Sequence, residues 1–171
     1  TWRRTIHQHP ELGFQEVETS RLVAEALREM GMRVETQVGK TGVVGHLGEG
    51  KPIIALRGDM DALPLQEVND TTYCSQVPNV MHACGHDSHV AMLASAARLL
   101  SENKSELTGK VRFMFQPGEE GFHGAKYMIE EGVLDGVDRA FAIHVFTNFA
   151  DGVITTRGGS LMASADRFEI T

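Results

Sequence analysis

The sequence predicts an α/β protein whose central sheet is covered by helices on both faces. Three observations carry that prediction: helical and strand-like segments alternate along the chain, the strand-like ones run apolar without a break, and glycine-rich turns separate them. In chain order, Trp2 and Ile6 stand at helical spacing in residues 1–9, which stop at Pro10, a residue that cannot continue a helix. Residues 17–30 place Val17, Leu22, Val23, Ala26, Leu27 and Met30 on one helical stripe, and Gly31 follows where a left-handed residue ends a helix well. Residues 32–38, 42–47 and 52–57 are short β-branched stretches separated by turns such as Gly48-Glu49-Gly50, and the third reads as a buried strand.

After an irregular stretch from Asp59 to Gly85, residues 87–100 carry Val90, Leu93, Ala94, Ala97 and Leu100 on one side and read as a helix. Residues 111–115 read as a strand, 124–131 as a helix ending at Gly132, and 140–145 as another strand. The tail differs. Residues 152–156 are strand-like, Gly158-Gly159-Ser160 is a hinge-type turn, and Phe168-Glu169-Ile170 begins to alternate. A strand cannot satisfy its backbone alone, so this ending is expected to open another unit.

The chain has 171 residues, 42% hydrophobic and 23% charged, which is ordinary for a packed domain and excludes a disordered tail or fibrous repeat. Asp plus Glu number 23 against 16 Lys plus Arg, a net charge of -7, and no basic cluster interrupts the balance. Phosphate neutralisation needs a basic face, so no nucleic-acid partner is expected. Two cysteines are too few for a disulfide scaffold, no apolar run approaches the roughly 18 residues that cross a bilayer, and no leader pattern is visible. A soluble protein with no membrane partner is expected, in the cytoplasm by default, although the start at Thr1 leaves room for a leader already removed.

Four places carry chemistry. Within residues 82–89 lie His82, Cys84, His86 and His89 at the mouth of a predicted helix. Cys84 and His86, two apart in extended backbone, project to one side, with Gly85 permitting a tight bend between them. Thiolate and imidazole are ligands for zinc and its neighbours, and Asp87 could hold the second nitrogen of an imidazole. A helix terminus with a buried thiol explains the same pattern equally well.

Gln116-Pro117-Gly118-Glu119-Glu120 follows a strand directly, where open α/β sheets place their ligand crevices. One carboxylate there could bind a cation while the other moves a proton; the plainer alternative is a solvated acidic turn. His144 ends the apolar run 140–145, where a lone histidine is more often a satisfied core residue than a ligand. Arg57-Gly58-Asp59-Met60-Asp61 closes a fourth strand, and Asp61 could orient a ligand histidine, unless the two acids only shape the turn and pair with Arg57. In a parallel sheet these four ends converge, which raises the metal reading above its parts. No Gly-x-Ser-x-Gly elbow, phosphate-binding Gly-Lys-Ser/Thr loop or Gly-x-Gly-x-x-Gly turn competes with it, and a thiol flanked by metal-type ligands is better explained as one of them than as a nucleophile.

His-Gln-His-Pro-Glu-Leu-Gly-Phe (7–14), Arg-Gly-Asp-Met-Asp-Ala-Leu-Pro (57–64), Met-His-Ala-Cys-Gly-His-Asp (81–87), Gln-Pro-Gly-Glu-Glu (116–120) and Ile-His-Val (143–145) resemble, in order, the aminoacylase/carboxypeptidase branch of the dinuclear metallopeptidases. That branch includes N-acyl-L-amino acid amidohydrolases, hippurate hydrolases, auxin-conjugate hydrolases and N-acetyldiaminopimelate deacetylases. The resemblance implies a three-layer α/β/α sandwich with a mixed, largely parallel sheet of the zinc-exopeptidase kind. It implies two divalent metal ions, with Cys84, His86, Glu120 and His144 as ligands, Glu119 as general base and Asp61 behind the ligands. Residues 1–161 would be the N-terminal portion of the catalytic domain, and 162–171 the first strand of an inserted α+β lid and dimerisation domain. The remainder, including one further histidine ligand, would lie beyond this chain.

The activity so implied is hydrolysis of N-acyl-L-amino acids, small-molecule substrates, by a homodimer of the full-length protein. N-acetyldiaminopimelate deacetylation and a catalytically incomplete metal-binding fragment are the alternatives. The Cys84 thiolate favours zinc, cobalt or nickel over magnesium, and the harder remaining ligands keep manganese open.

Overall fold

The computed structural model describes residues 2–162. Its elements are α1 (Trp2–Gln8), α2 (Val17–Glu29), β1 (Arg33–Val38), β2 (Gly42–Gly48), β3 (Ile53–Asp59), α3 (His86–Glu102), β4 (Lys110–Gln116), α4 (Gly124–Glu130) and β5 (Arg139–Ala142). A short 3₁₀ turn at Lys104–Glu106, which the sequence pattern did not announce, links α3 to β4.

The strands form one mixed sheet in the order β1-β2-β4-β3-β5. β1 with β2 and β2 with β4 are antiparallel; β3 with β4 and with β5 are parallel. Parallel character is thus confined to β4-β3-β5, and this is the half that carries the chemistry.

Side-chain alternation sorts the core into two layers. Along β4, Phe113 and Phe115 enter one core with Val43 and Leu47 of β2, Val23 and Leu27 of α2, and Val90 and Leu93 of α3. Met114, between them, turns to the other face and meets Val44, Ala55, Met128 of α4 and Val133. Helices α1, α2 and α3 therefore cover one face and α4 the other, the arrangement expected from the alternating pattern. Phe113 and Phe115 are fully buried, and each such ring contributes about 1.5–3 kcal/mol by leaving water.

Helix α2 buries Val23, Ala26 and Leu27 but leaves Val17, counted on its apolar stripe, exposed in the first turn. Its end is made by Gly31 in the left-handed region (φ +75°), with the Met32 N–H reaching back to the Leu27 carbonyl at 3.1 Å. Its beginning is capped from outside: the Glu11 carboxylate accepts the N–H groups of Glu18 and Thr19 at 3.0 and 2.8 Å.

Two expectations fail. The apolar run 140–145 forms only the short β5, which ends at Ala142 and is exposed throughout, because it is an edge strand with β3 as its one neighbour among the described residues. Phe141 and Ala142 line an apolar cleft on either face of it. Residues 152–156 form no strand: they lie exposed, with no ladder partner among the described residues. The expected opening strand of an inserted domain falls, beyond exposed Met162, outside the described residues.

Candidate metal centre

Strands β3, β4 and β5 run in parallel, so their carboxyl ends deliver Asp59 and Asp61, the Glu119-Glu120 turn, and His144 to one side of the sheet. The fourth contribution is the start of α3. Gly85 precedes it with φ +85°, and a Cβ there would lie 2.5 Å from Cγ2 of Val145. Cys84 and His86 are thus brought to one point around a left-handed residue and into a helix rather than along extended backbone.

The structure brings Cys84, His86, Glu119, Glu120 and His144 together, with Asp61 against His86. Cys84, His86 and His144 each offer a ligand atom within 4.8 Å of the others, and His86, Glu119 and Glu120 do the same, so His86 joins the two groups. Cys84 Sγ lies 3.4 Å from His144 Nε2. His86 Nε2 lies 3.9 Å from Glu120 Oε1 and 4.0 Å from Glu119 Oε2.

Hydrogen bonds fix which ring nitrogens face inward. His86 Nδ1 donates to the Asp61 carbonyl at 2.8 Å and His144 Nδ1 to the Val145 carbonyl at 2.6 Å. A carbonyl only accepts, so Nδ1 carries the proton in the neutral form of both rings and Nε2 is the nitrogen left to face the centre. Asp61 does more than hold His86. Its Oδ1 lies 3.3 Å from His86 Nδ1, and its Oδ2 accepts the Glu120 N–H at 2.8 Å, so one buried carboxylate ties the helix start to the acidic turn.

The arrangement fits a divalent cation on its own terms. His86 Nε2 and Glu120 Oε1 are both buried and without a hydrogen-bond partner among the described residues, a rarity for polar atoms in native interiors. They face one another across a gap too wide for a hydrogen bond, beside a thiol and a second imidazole. The electrostatics agree. Burial, with Glu120, Asp59 and Glu119 close by, pushes the Cys84 thiol up to about 12, and burial beside Glu120 raises the Glu119 carboxyl. Burial lowers the proton affinity of His86, but Asp61, Asp59 and Glu120 outweigh it and raise it. A nest of negative groups of this kind lacks positive charge at its middle, which a cation bound by thiolate, imidazole and carboxylate would provide.

Two residues near the centre are given no place in it from the sequence, although His89 counts among the imidazoles of 82–89 and Asp59 reads as a possible partner of Arg57. His89 Nδ1 lies 2.5 Å from Asp59 Oδ1 while its Nε2 accepts the Val145 N–H at 2.9 Å. With both nitrogens engaged, His89 has no lone pair to offer a metal, although it clusters with Asp59 and His86. It ties β3 to the backbone beside His144. Asp59 in turn pairs with Arg57 Nη1 at 2.5 Å, and those partners outweigh burial and hold its carboxyl far below the usual range. The spacing of His86 and His89, one helical turn apart, was the legible signal. Asp87, expected to steady a ligand imidazole, instead faces His7 Nδ1 at 2.8 Å and Arg3 Nε at 3.1 Å, away from the centre. His82 also stands apart from the candidate groups, buried with its proton affinity lowered to about 4 chiefly by desolvation.

A sequence profile of the peptidase family M20/M25/M40 matches residues 55–165, and the chain belongs to that family. It is 52% identical over 173 residues to thermostable carboxypeptidase 2 of Saccharolobus solfataricus, covering 98% of this chain and 44% of the relative. It is 49% identical over 170 residues to the IAA-amino acid hydrolase ILR1-like 5 of Arabidopsis thaliana, covering 99% and 39%. The solved structure of the Bacillus subtilis YXEP protein, described as a dinuclear metal-binding peptidase of the M20 family, superposes with a TM-score of 0.80 at 46% identity over 84% of this chain and 41% of that one. The chain thus spans less than half the length of each of these three proteins.

Proposed function

We propose that this member of the M20/M25/M40 peptidase family supplies the metal-binding half of an amidohydrolase that cleaves N-acyl-L-amino acids to a carboxylate and a free amino acid. The observation that carries the reading is the pair of orphaned atoms, His86 Nε2 and Glu120 Oε1, facing each other beside Cys84 and His144 with Glu119 next in sequence.

Cys84, His86, Glu120 and His144 would hold two divalent ions, the number borne by the solved YXEP protein. Such ions supply Lewis acidity, which lowers the pKa of water from 15.7 to about 7 and polarises a carbonyl. Glu119, whose carboxyl is raised by burial and by Glu120, takes the proton of the attacking water and returns it to the departing amine. Asp61 keeps His86 in the tautomer that ligates and holds the Glu120 backbone. The thiolate favours zinc, with manganese, cobalt and nickel as alternatives.

Residues 1–161 belong, in this reading, to the catalytic domain and 162–171 begin an inserted lid and dimerisation domain of a homodimer. Among the described residues no helix is long and apolar enough to cross a membrane, and both cysteines are free, which suits a cytoplasmic enzyme.

The substrate class is supported by a relative that is named as an IAA-amino acid hydrolase. Release of free amino acid by the full-length protein from N-acetyl and N-benzoyl amino acids and from N-acetyldiaminopimelate tests it. Turnover of the simple N-acyl amino acids is expected. Preference for N-acetyldiaminopimelate would move the assignment to that deacetylase, and no release from any of them would overturn it.

A further inference from the structure

Glu16 lies in none of the strand ends that form the centre, yet it is fully buried with its carboxylate directed at the turn that carries Glu119 and Glu120. It stands at the N-cap position of α2 and does no capping there. Glu11 takes the α2 N–H groups instead, which leaves both Glu16 oxygens free to reach elsewhere. Oε1 accepts the Gly118 N–H at 2.8 Å, across 102 positions of sequence, and Oε2 accepts the Thr41 hydroxyl at 2.5 Å.

Gly118 has φ +54°, and a Cβ on it would meet Phe14 Cε1 at 2.9 Å and Phe122 Cβ at 3.0 Å, so two aromatic side chains pack close against it on that side. Its N–H is the last before that of Glu119. Two residues later the Glu120 N–H is taken by Asp61 at 2.8 Å. The acidic turn is therefore pinned at both ends by buried carboxylates, Asp61 just after β3 and Glu16 at the N-cap of α2.

Burying a carboxylate is costly, and an apolar side chain would fill this space more cheaply; burial indeed raises the proton affinity of Glu16, with its hydrogen bonds only partly opposing it. A group retained at that cost, bonded to the backbone that orients two chemically active side chains, serves their placement. We propose that Glu16 is a positioning residue for the reaction: its carboxyl reach sets the Gly118 backbone and thereby the directions of Glu119 and Glu120. This rests on the functional reading above. A displacement of the order of an ångström at such groups costs about 10²-fold in rate.

Reach and charge can be separated. Glu16→Gln keeps the length and an oxygen acceptor for the Gly118 N–H but removes the charge; Glu16→Asp keeps the charge but withdraws the acceptor by one methylene. Both are to be measured in the metal-loaded full-length protein for kcat, KM, melting temperature and the half-time of metal loss to a chelator. If reach is what matters, Glu16→Gln stays within about threefold of the parent in kcat and metal half-time. Glu16→Asp then loses about tenfold or more in kcat at nearly unchanged KM and releases metal faster, in line with that geometric sensitivity.

Equal kcat and metal half-time in parent and both variants, with only the melting temperature lowered, would make Glu16 merely structural and overturn the proposal. The reverse order, Asp retained and Gln lost, would overturn it in favour of charge. Metal half-time is read without any substrate, so an absence of hydrolysis in the parent would count against the amidohydrolase reading while leaving this test standing.

Discussion

The Cys84 thiol sets the sign of the centre's pH dependence. Burial and the surrounding carboxylates hold its proton up to about 12, so a metal ion taken by Cys84, as proposed, would have to displace that proton. Metal affinity is then expected to rise with pH. Calorimetric titration of the metal in buffers of different ionisation heat should show proton release, with about one proton fewer and weaker retention in Cys84→Ser. Unchanged release and retention in that variant would remove Cys84 from the ligands. Glu119 differs, since it is expected to move a proton rather than hold the ion. Glu119→Ala should lose about 10² or more in turnover with metal content unchanged, a contrast that combined activity and metal analysis of the same preparation checks.

The elbow between Cys84 and His86 is the element on which the arrangement turns. Gly85 is left-handed, and Val145, next to His144, sits where its Cβ would be. Gly85→Ala should cost roughly 1–2 kcal/mol in backbone strain alone, and the contact with Val145 adds to it by separating the elbow from the β5 end. Thermal unfolding together with metal content should show both losses; a variant that unfolds earlier yet binds metal like the parent would mean the elbow is not what brings Cys84 and His144 together.

Sequence patterns gave most elements within a residue or two at each end, because the strands and helices here follow apolar periodicity and glycine punctuation. They overstated β5 for a definable reason. Residues 140–145 are apolar as a doubly buried strand is, but pairing is available only from β3, and the run past Ala142 leaves the sheet. Candidate site residues were visible as residue types at strand and helix ends. What no linear pattern contained was the set of nonlocal buried bonds: Asp61 to the Glu120 backbone, His89 between Asp59 and Val145, Glu16 to Gly118.

At the scale of the whole molecule, the candidate ligands come from the start of α3, the turn after β4 and the residues after β5, while Asp61 just after β3 and Glu16 at the N-cap of α2 supply the carboxylates that steady the acidic turn. A metal ion bound there joins segments 60 positions apart in the chain, as Cys84 and His144 are. Binding to the folded state alone adds about 2.7 kcal/mol at a hundredfold excess over Kd, so chelation should lower the melting temperature and added zinc or manganese should restore it.

The most direct measurement is hydrolysis of an N-acyl amino acid by the full-length protein as metal is stripped with chelator and then titrated back. Turnover is expected to disappear on chelation and to return in proportion to the metal bound. Turnover indifferent to chelation, or a protein fully reloaded with metal that hydrolyses none of the N-acyl amino acids, would contradict the account.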